Sequence, residues 1–224
     1  MTTKGRLLKV TFLTTVGNSN FVTTSATGNA FIEVVGGGGK GGTPTMNASN
    51  AGAGGGGGGS YVGGWITLSP SSSYAYNIGN NGQDSYWHYP GFTTSIKATA
   101  GTDGRAGGNT GNGYPGKGGS GGVGSIGSSV KGMFKSGSDG HSGIQYCKTT
   151  TTEYAIGSSC NGGNGGNSKY GGGGKGSSNN EINALPGHNY GGGGGGGAYK
   201  VGAPGISSEG ANGAQGLIIV WEYT

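Results

Sequence analysis

Short apolar runs near the two ends of the chain give the strongest strand signals in the sequence. Residues 7–13 (LLKVTFL), 30–35 (AFIEVV) and 217–223 (LIIVWEY) are rich in β-branched and aromatic residues, a composition that favours strands. Two further runs, 61–68 (YVGGWITL) and 74–78 (YAYNI), are separated by a Ser-Pro-Ser turn. We predict that these runs are strands, and that the N-terminal, C-terminal and middle runs pair into a small β unit.

The rest of the chain alternates between glycine blocks and segments with fewer glycines. Sixty-one of the 224 residues are glycine, against about 7% in average proteins. Within the blocks glycine recurs at every third residue, most clearly in residues 101–124 and 210–216. Three residues per turn is the period of polyproline II, and glycine strands in that conformation can pack closely, with N–H groups aimed at neighbouring carbonyls. The blocks are residues 36–42, 52–59, 101–124, 161–176, 191–197 and 202–216.

These patterns predict a mostly irregular chain with minor β structure. The predicted fold is a polyglycine II helix bundle capped by a small β unit made of N- and C-terminal strands. Residues 1–35 would form N-terminal strands and an attachment region, residues 36–216 the glycine-rich domain, and residues 217–224 the strand that completes the β unit. The alternative is that the glycine blocks are solvated linkers, but their number, similar length and strand-like ends argue against it.

The composition excludes several classes of protein. No apolar run approaches the ~18 residues of a membrane helix, and six prolines are too few for a collagen triple helix. The net charge is only +5 and the basic residues are spread singly, so we expect neither nucleic-acid binding nor membrane insertion. We expect no secretory signal at the N-terminus. Cys147 and Cys160 either form a disulfide or remain thiols.

Three stretches of the chain carry a resemblance to a known family. Residues 31–42 (FIEVVGGGGKGG) run from a strand straight into polyglycine. Residues 65–82 (WITLSPSSSYAYNIGNNG) combine a strand, a Pro-containing turn, a Tyr-rich strand and a glycine exit. In residues 210–223 (GANGAQGLIIVWEY), glycine at every third residue is followed by a strand that contains a Trp-Glu pair. Over nearly its whole length the chain resembles the glycine-rich domains at the tips of bacteriophage tail fibres, including the separate adhesins of T-even-like phages.

The resemblance implies a receptor-binding protein at the distal end of a virion's tail fibre, made in the host cytoplasm. In those adhesins a polyglycine II bundle carries loops that touch the host surface, so the implied partner is an outer-membrane protein or a lipopolysaccharide glycan. The T-even-like adhesins also carry a sizeable N-terminal module that docks on the fibre, whereas here only residues 1–35 precede the first glycine block. Attachment to the tail-fibre protein is therefore expected through the short N-terminal strands, or the protein self-associates.

Three segments between the glycine blocks, 83–93, 125–155 and 177–190, are the expected receptor-contacting loops. The first holds five rings within residues 86–92, and adjacent rings of a strand cannot all face one core, so some are expected to bind a sugar or a protein. The second mixes basic with aromatic residues, which suit anionic groups, and the third is polar. The alternative is that each segment packs on the bundle or is simply solvated. The candidate contact residues are Tyr86, Trp87, His88, Tyr89, Phe92, Phe134, Lys135, His141, Tyr146, Tyr154, His188 and Tyr190.

No constellation of residues indicates catalysis, so we expect no enzyme, no cofactor and no metal site. The eight carboxylates are scattered without a paired motif, and the three histidines lack the spacing of metal ligands. Asp139, His141 and Cys147 match a nucleophile set in residue type alone. The GGGGKG stretches at 36–41 and 171–176 lack the Lys-Ser/Thr ending and the following helix of a phosphate loop.

Two other functions compete with host recognition. An ice-binding polyglycine II protein needs a flat, regular face of small residues and Thr, which long aromatic loops would spoil. A structural glycine-rich matrix protein is usually more repetitive and less punctuated than this chain. Thermal hysteresis would identify the first, and failure of the folded protein to bind any cell would favour either over an adhesin.

Overall fold

The computed structural model describes residues 5–45, 51–88, 96–107, 115–127, 130–145, 160–178, 183–200 and 206–224. Regular structure in these ranges consists of strands, and none of them contains a helix long and apolar enough to cross a membrane. The strands are β1 (Leu7–Leu13), β2 (Gly17–Val22), β3 (Asn29–Val35), β4 (Ala51–Gly52), β5 (Tyr61–Thr67), β6 (Ser73–Ile78), β7 (Ser85–Trp87), β8 (Ile96–Ala98), β9 (Gly124–Ser125), β10 (Lys131–Lys135), β11 (Ile144–Gln145), β12 (Cys160–Asn161), β13 (Ala198–Lys200), β14 (Ile206–Ser207) and β15 (Leu217–Tyr223).

Most of these strands belong to two five-stranded antiparallel sheets. Sheet A has the order β1-β15-β3-β5-β10, and sheet B has the order β2-β6-β7-β8-β9. The C-terminal strand β15 lies between β1 and β3, so the two ends of the chain meet in one sheet. A three-stranded sheet, β14-β13-β4, and the two-stranded β11-β12 ladder complete the pairing among the described residues.

Sheets A and B face each other across a hydrophobic core. Side chains alternate between the two sides of a strand, so Ile32 and Val34 of β3 point inward with Ile218 and Val220 of β15. The inward residues of sheet B include several large rings, which fill the space between the sheets. The rings are those of Phe21, Tyr74, Tyr76 and Trp87, and the aliphatic side chains of Ile78 and Ile96 lie among them.

The strands of sheet A continue into glycine segments that form a second core made of backbone. β3 runs directly into residues 36–42, and the chain returns through residues 52–60, the central segment, into β5. The N–H and carbonyl groups of the central segment form hydrogen bonds with other glycine segments, and the partner segment is the same at every third residue. The N···O distances are 2.7–3.1 Å. The central segment donates to residues 191–197, 99–105 and 138–141, and it accepts from residues 36–42, 116–122 and 163–166.

The three-residue glycine spacing follows from this packing. A Cβ atom added to Gly101 or Gly104 would lie less than 3.0 Å from the backbone of the central segment, whereas Thr102 and Asp103 between them are exposed. Every third residue therefore faces a neighbouring backbone and has no room for a side chain. Hydrogen bonds between main chains replace side-chain packing here, and they satisfy the buried N–H and carbonyl groups.

The predicted fold class, a mostly irregular polyglycine II bundle with a small terminal β unit, is wrong because the structure is β-rich. The five predicted strands are confirmed as β1, β3, β5, β6 and β15, close to their expected bounds. The prediction missed β2 and β7 to β10, which complete the two large sheets. These strands are polar, short or glycine-containing, such as GNSNFV in β2 and KGMFK in β10. They form because a neighbouring strand offers its edge, a contribution that local propensity does not reveal.

Candidate functional site

The solvent-facing side of sheet B carries one polar residue from each strand at a shared register. Asn18 of β2 lies opposite Asn77 of β6, and Asn77 lies opposite Tyr86 of β7. Tyr86 pairs in turn with Lys97 of β8, and Lys97 with Ser125 of β9. Paired residues point to the same side of a sheet, so these five side chains form one line, the polar row. The Tyr86 hydroxyl donates a hydrogen bond to Asn18 Oδ1 at 3.3 Å.

Two rings face outward at the polar row: Tyr86, which belongs to it, and His88, two residues further along the chain. Tyr86 is half-buried and His88 is exposed, and their ring centroids lie 4.6 Å apart with the planes inclined at 68°. The backbone beneath them is fixed, because the His88 N–H donates to the Ala75 carbonyl at 2.9 Å. The edge-to-face pair thus presents aromatic surface beside hydrogen-bonding groups, the combination found in binding hot spots.

Beside the polar row lies an open cleft of about 610 Å³. Asp84 joins the two features, because its Oδ2 lies 2.7 Å from the Lys97 ammonium and its Oδ1 accepts from the Ala100 N–H at 2.9 Å. A second carboxylate, that of Asp103, accepts from the Lys40 N–H at 2.7 Å. The cleft is lined by Lys40, Asn81, Gly82, Gln83, Asp84, Ala100, Gly101, Thr102 and Asp103.

The core made of hydrogen-bonded glycine segments, which we call the glycine core, holds the cleft wall in position. The turn after β6 contains Gly82 with a φ of 66°, a left-handed conformation that glycine adopts without strain. The Gly82 N–H donates to the Gly38 carbonyl at 2.8 Å, and the Gly37 N–H donates to the Gln83 carbonyl at 3.0 Å. Because this backbone is already ordered, a ligand entering the cleft does not have to order it.

Trp87 is a core residue, so its predicted role in receptor contact is wrong. Its side chain is 1% exposed and packs among the rings between the sheets. The reason is strand alternation: residues 86, 87 and 88 point to alternate sides, which buries the middle ring and leaves its neighbours outside. The sequence predicted that some of these rings are exposed. Without the pairing register of the strand, it could not show which ring is buried.

The other described candidates lie at separate positions. Phe134 and Lys135 are exposed on β10, the edge strand of sheet A, where Phe134 is 62% exposed. His141 and His188 are exposed on glycine segments. Tyr190 is half-buried against the outer face of sheet A. Among the described residues, all five lie on segments other than those that carry Tyr86 and the cleft lining.

The remaining candidates, Tyr89, Phe92, Tyr146 and Tyr154, lie outside the described residues, as does Cys147. The Cys160 side chain is buried, and its Sγ lies 3.0 Å from the Tyr199 carbonyl oxygen. Across the described ranges, no three His, Cys, Asp or Glu side chains are grouped so that they could hold a metal ion.

A cluster of polar and aromatic residues fastens a glycine segment to the outer face of sheet A. The Lys169 ammonium lies 3.6 Å from the centroid of the Tyr61 ring and 3.9 Å from Glu33 Oε2, and the Tyr170 hydroxyl donates to Glu33. Burial lowers the pKa of Lys169, but the neighbouring Tyr61 and Tyr170 side chains and the Glu33 charge outweigh that effect and raise it. Burial and the Glu33 hydrogen bond raise the pKa of Tyr170.

This cluster predicts a loss of stability at alkaline pH. Both folded pKa values lie above the ordinary values of 10.5 for Lys169 and 10.0 for Tyr170, so the folded state holds both protons more tightly than the unfolded state. The resulting stability is complete below about pH 10 and is lost as the pH rises through the folded values. Thermal melts from neutral to strongly alkaline pH should show this loss, with a shallower slope in Tyr170→Phe. An unchanged slope in that variant would contradict the assignment.

Sequence reasoning missed most of the side chains that surround Tyr86. Asn18, Asn77 and Lys97 belong to the polar row, and Lys40 and Asp103 line the cleft. A partial signal exists in the alternation of SYAYNI in β6 and IKA in β8, where the polar residue between apolar ones marks the outward side. No sequence signal links Lys40 to Asp103, because only the packing of glycine segments brings them together.

The chain matches a known family model over almost its whole length. The matching family is described as a glycine-rich domain, and the match covers residues 14–223. No curated protein matches the chain.

Proposed function

We propose that this chain, which belongs to the glycine-rich domain family, is a tail-fibre tip adhesin of a bacteriophage. The adhesin binds an outer-membrane protein or a lipopolysaccharide glycan on the host bacterium and acts at the distal end of the fibre in the virion, after synthesis in the host cytoplasm. It carries out no reaction and needs no cofactor. The resemblance of residues 31–42, 65–82 and 210–223 to such adhesins supports this proposal.

One observation carries the proposal furthest: the Tyr86–His88 ring pair projects from the polar row beside a cleft on an ordered backbone. Rings on the outward side of a sheet give contact area at a low cost in conformational entropy, and flanking polar groups add directional hydrogen bonds. A surface of this kind favours recognition over a purely structural role, which would not require an outward ring pair.

Two further contact regions belong to the proposal. The segment 125–155 contributes the exposed side chains of Phe134 and Lys135 on β10, and the segment 177–190 contributes exposed His188. Lysine on an exposed edge attracts the anionic groups of lipopolysaccharide through long-range electrostatics. These regions would widen the receptor contact beyond sheet B.

We assign the contact with the tail-fibre protein, or with a second copy of the chain, to the N-terminal strands. β1 is an edge strand of sheet A, and Phe12 on it is 62% exposed. An open strand edge offers unpaired N–H and carbonyl groups to a partner strand. This assignment keeps the attachment apart from the polar row on sheet B.

The test of the proposed function is binding of the labelled protein to whole Gram-negative cells, including strains that lack single porins or carry truncated lipopolysaccharide. Saturable binding that is lost in one strain is the expected result. Tyr86→Ala and His88→Ala should weaken it at least tenfold, about 1.4 kcal/mol. Leu7→Ala, a substitution at an exposed position on β1 of sheet A, should leave it unchanged. Failure of the folded protein to bind any strain would overturn the proposal.

A further inference from the structure

We propose that the cleft beside the polar row binds an uncharged saccharide. The inference rests on the proposed function, because that saccharide would be the part of the host receptor that the adhesin recognises. It names a ligand class for a site formed by Lys40, residues 81–84 and residues 100–103, most of which lie outside the predicted contact loops. The same sugar chemistry is available from lipopolysaccharide or from a capsule.

The lining of the cleft suits a ligand rich in hydroxyl groups. Its volume of about 610 Å³ lies within the range of ordinary small-molecule sites. A sugar hydroxyl both donates and accepts hydrogen bonds, so it pairs with carboxylate, amide, hydroxyl and ammonium groups alike. The lining residues whose side chains carry such groups include Lys40, Asn81, Gln83, Asp84 and Asp103.

The charges around the cleft balance, which argues against an ionic ligand. Two carboxylates, Asp84 and Asp103, are offset by the ammonium groups of Lys40 and Lys97. Asp84 is already paired with Lys97 at 2.7 Å and bonded to the Ala100 N–H. A phosphate or a cation would therefore gain no net attraction, whereas an uncharged ligand needs none.

The neighbouring rings complete a saccharide site. Asp84 lines the cleft, and Tyr86 lies two residues further along, about 7 Å away at the rise of a strand. A sugar residue next to the one in the cleft can place its apolar C–H face against the Tyr86–His88 pair. The cleft and the rings thus hold two successive sugar residues through hydrogen bonding and stacking respectively.

The test uses defined probes with the intact protein. They are a panel of neutral methyl glycosides and the oligosaccharide released from the lipopolysaccharide of a strain that binds, measured by saturation-transfer NMR and titration calorimetry. Gln83→Ala should weaken binding about five- to tenfold, the size expected for one hydrogen bond, and Leu7→Ala, at an exposed position on sheet A, should not. Raising the salt from about 0.1 M to about 1 M shortens the Debye length from ~10 to ~3 Å and should change the Kd less than about twofold.

Three results would overturn the inference: no neutral saccharide binds, binding weakens tenfold or more at high salt, or a folded Gln83→Ala binds as well as the parent. The outcomes also separate this inference from the adhesin proposal. Cell binding without saccharide binding overturns the saccharide site and leaves a protein receptor for the adhesin. Saccharide binding without binding to any cell overturns the adhesin and leaves the site.

Discussion

Trp87→Ala should destabilise the protein by about 3–5 kcal/mol, the usual cost of removing a large buried ring. The Trp87 ring is 1% exposed and lies 5.7 Å from Phe21, 6.0 Å from Tyr74 and 6.4 Å from Tyr76, between ring centroids. Alanine would leave a cavity between sheets A and B that these neighbours cannot close without leaving their own positions. Chemical denaturation followed by tyrosine and tryptophan fluorescence measures the loss.

The neighbouring residue provides the matched control for this substitution. Tyr86→Ala changes a ring on the opposite side of the same strand, so it should alter the free energy of unfolding by less than about 1 kcal/mol. The two variants thus separate folding from the proposed recognition: we expect Trp87→Ala to lower stability and Tyr86→Ala to lower cell binding. A fully stable Trp87→Ala protein would mean that the two sheets do not enclose this ring.

Gly57→Ala should cost about 4 kcal/mol or more, a loss that few single substitutions cause. An added Cβ would lie less than 3.0 Å from the carbonyl group of Ser120 and the next amide nitrogen. These are backbone atoms that have no alternative rotamer, so the segments must separate. The Gly57 N–H donates to Thr102 and its carbonyl accepts from Gly39, both at 2.9 Å, and separation weakens both bonds.

Gly172→Ala is the control for the glycine core. A Cβ at Gly172 has no atom within 4 Å, so the methyl group fits without displacing anything. The alanine also restricts the unfolded chain, and stability should therefore stay within about 1 kcal/mol of the parent. Equal effects of the two substitutions in a denaturation experiment would show that the glycine segments are not closely packed.

The sequence predicted the strands whose side chains carry a local signal. The five predicted strands, β15 with its run LIIVWEY among them, contain enough β-branched and aromatic residues to be recognised without their partners. Strands such as β9 and β10 contain glycine and polar residues, and they exist because β8 and β5 lie beside them. Those pairings join residues that are far apart in the chain, so no local pattern could predict them.

The candidate site was predictable only in part for the same reason. The ring cluster drew attention to residues 86–88, but only the register shows that Tyr86 and His88 point outward while Trp87 points inward. The cleft was not predictable, because Lys40 meets Asp103 through the hydrogen bonding of two glycine segments. Glycine has no side chain whose pattern could encode which segments become neighbours.

Hydrogen exchange of the amides in residues 53–60 tests most directly whether a backbone core supports the candidate site. Each of these N–H groups donates to a carbonyl of a neighbouring segment, and all eight residues are buried. They should therefore exchange only through global unfolding, as slowly as the amides of β3 and β5. Exchange as fast as in exposed residues 14–16 would contradict the account, since a solvated glycine segment cannot fix the cleft and the polar row.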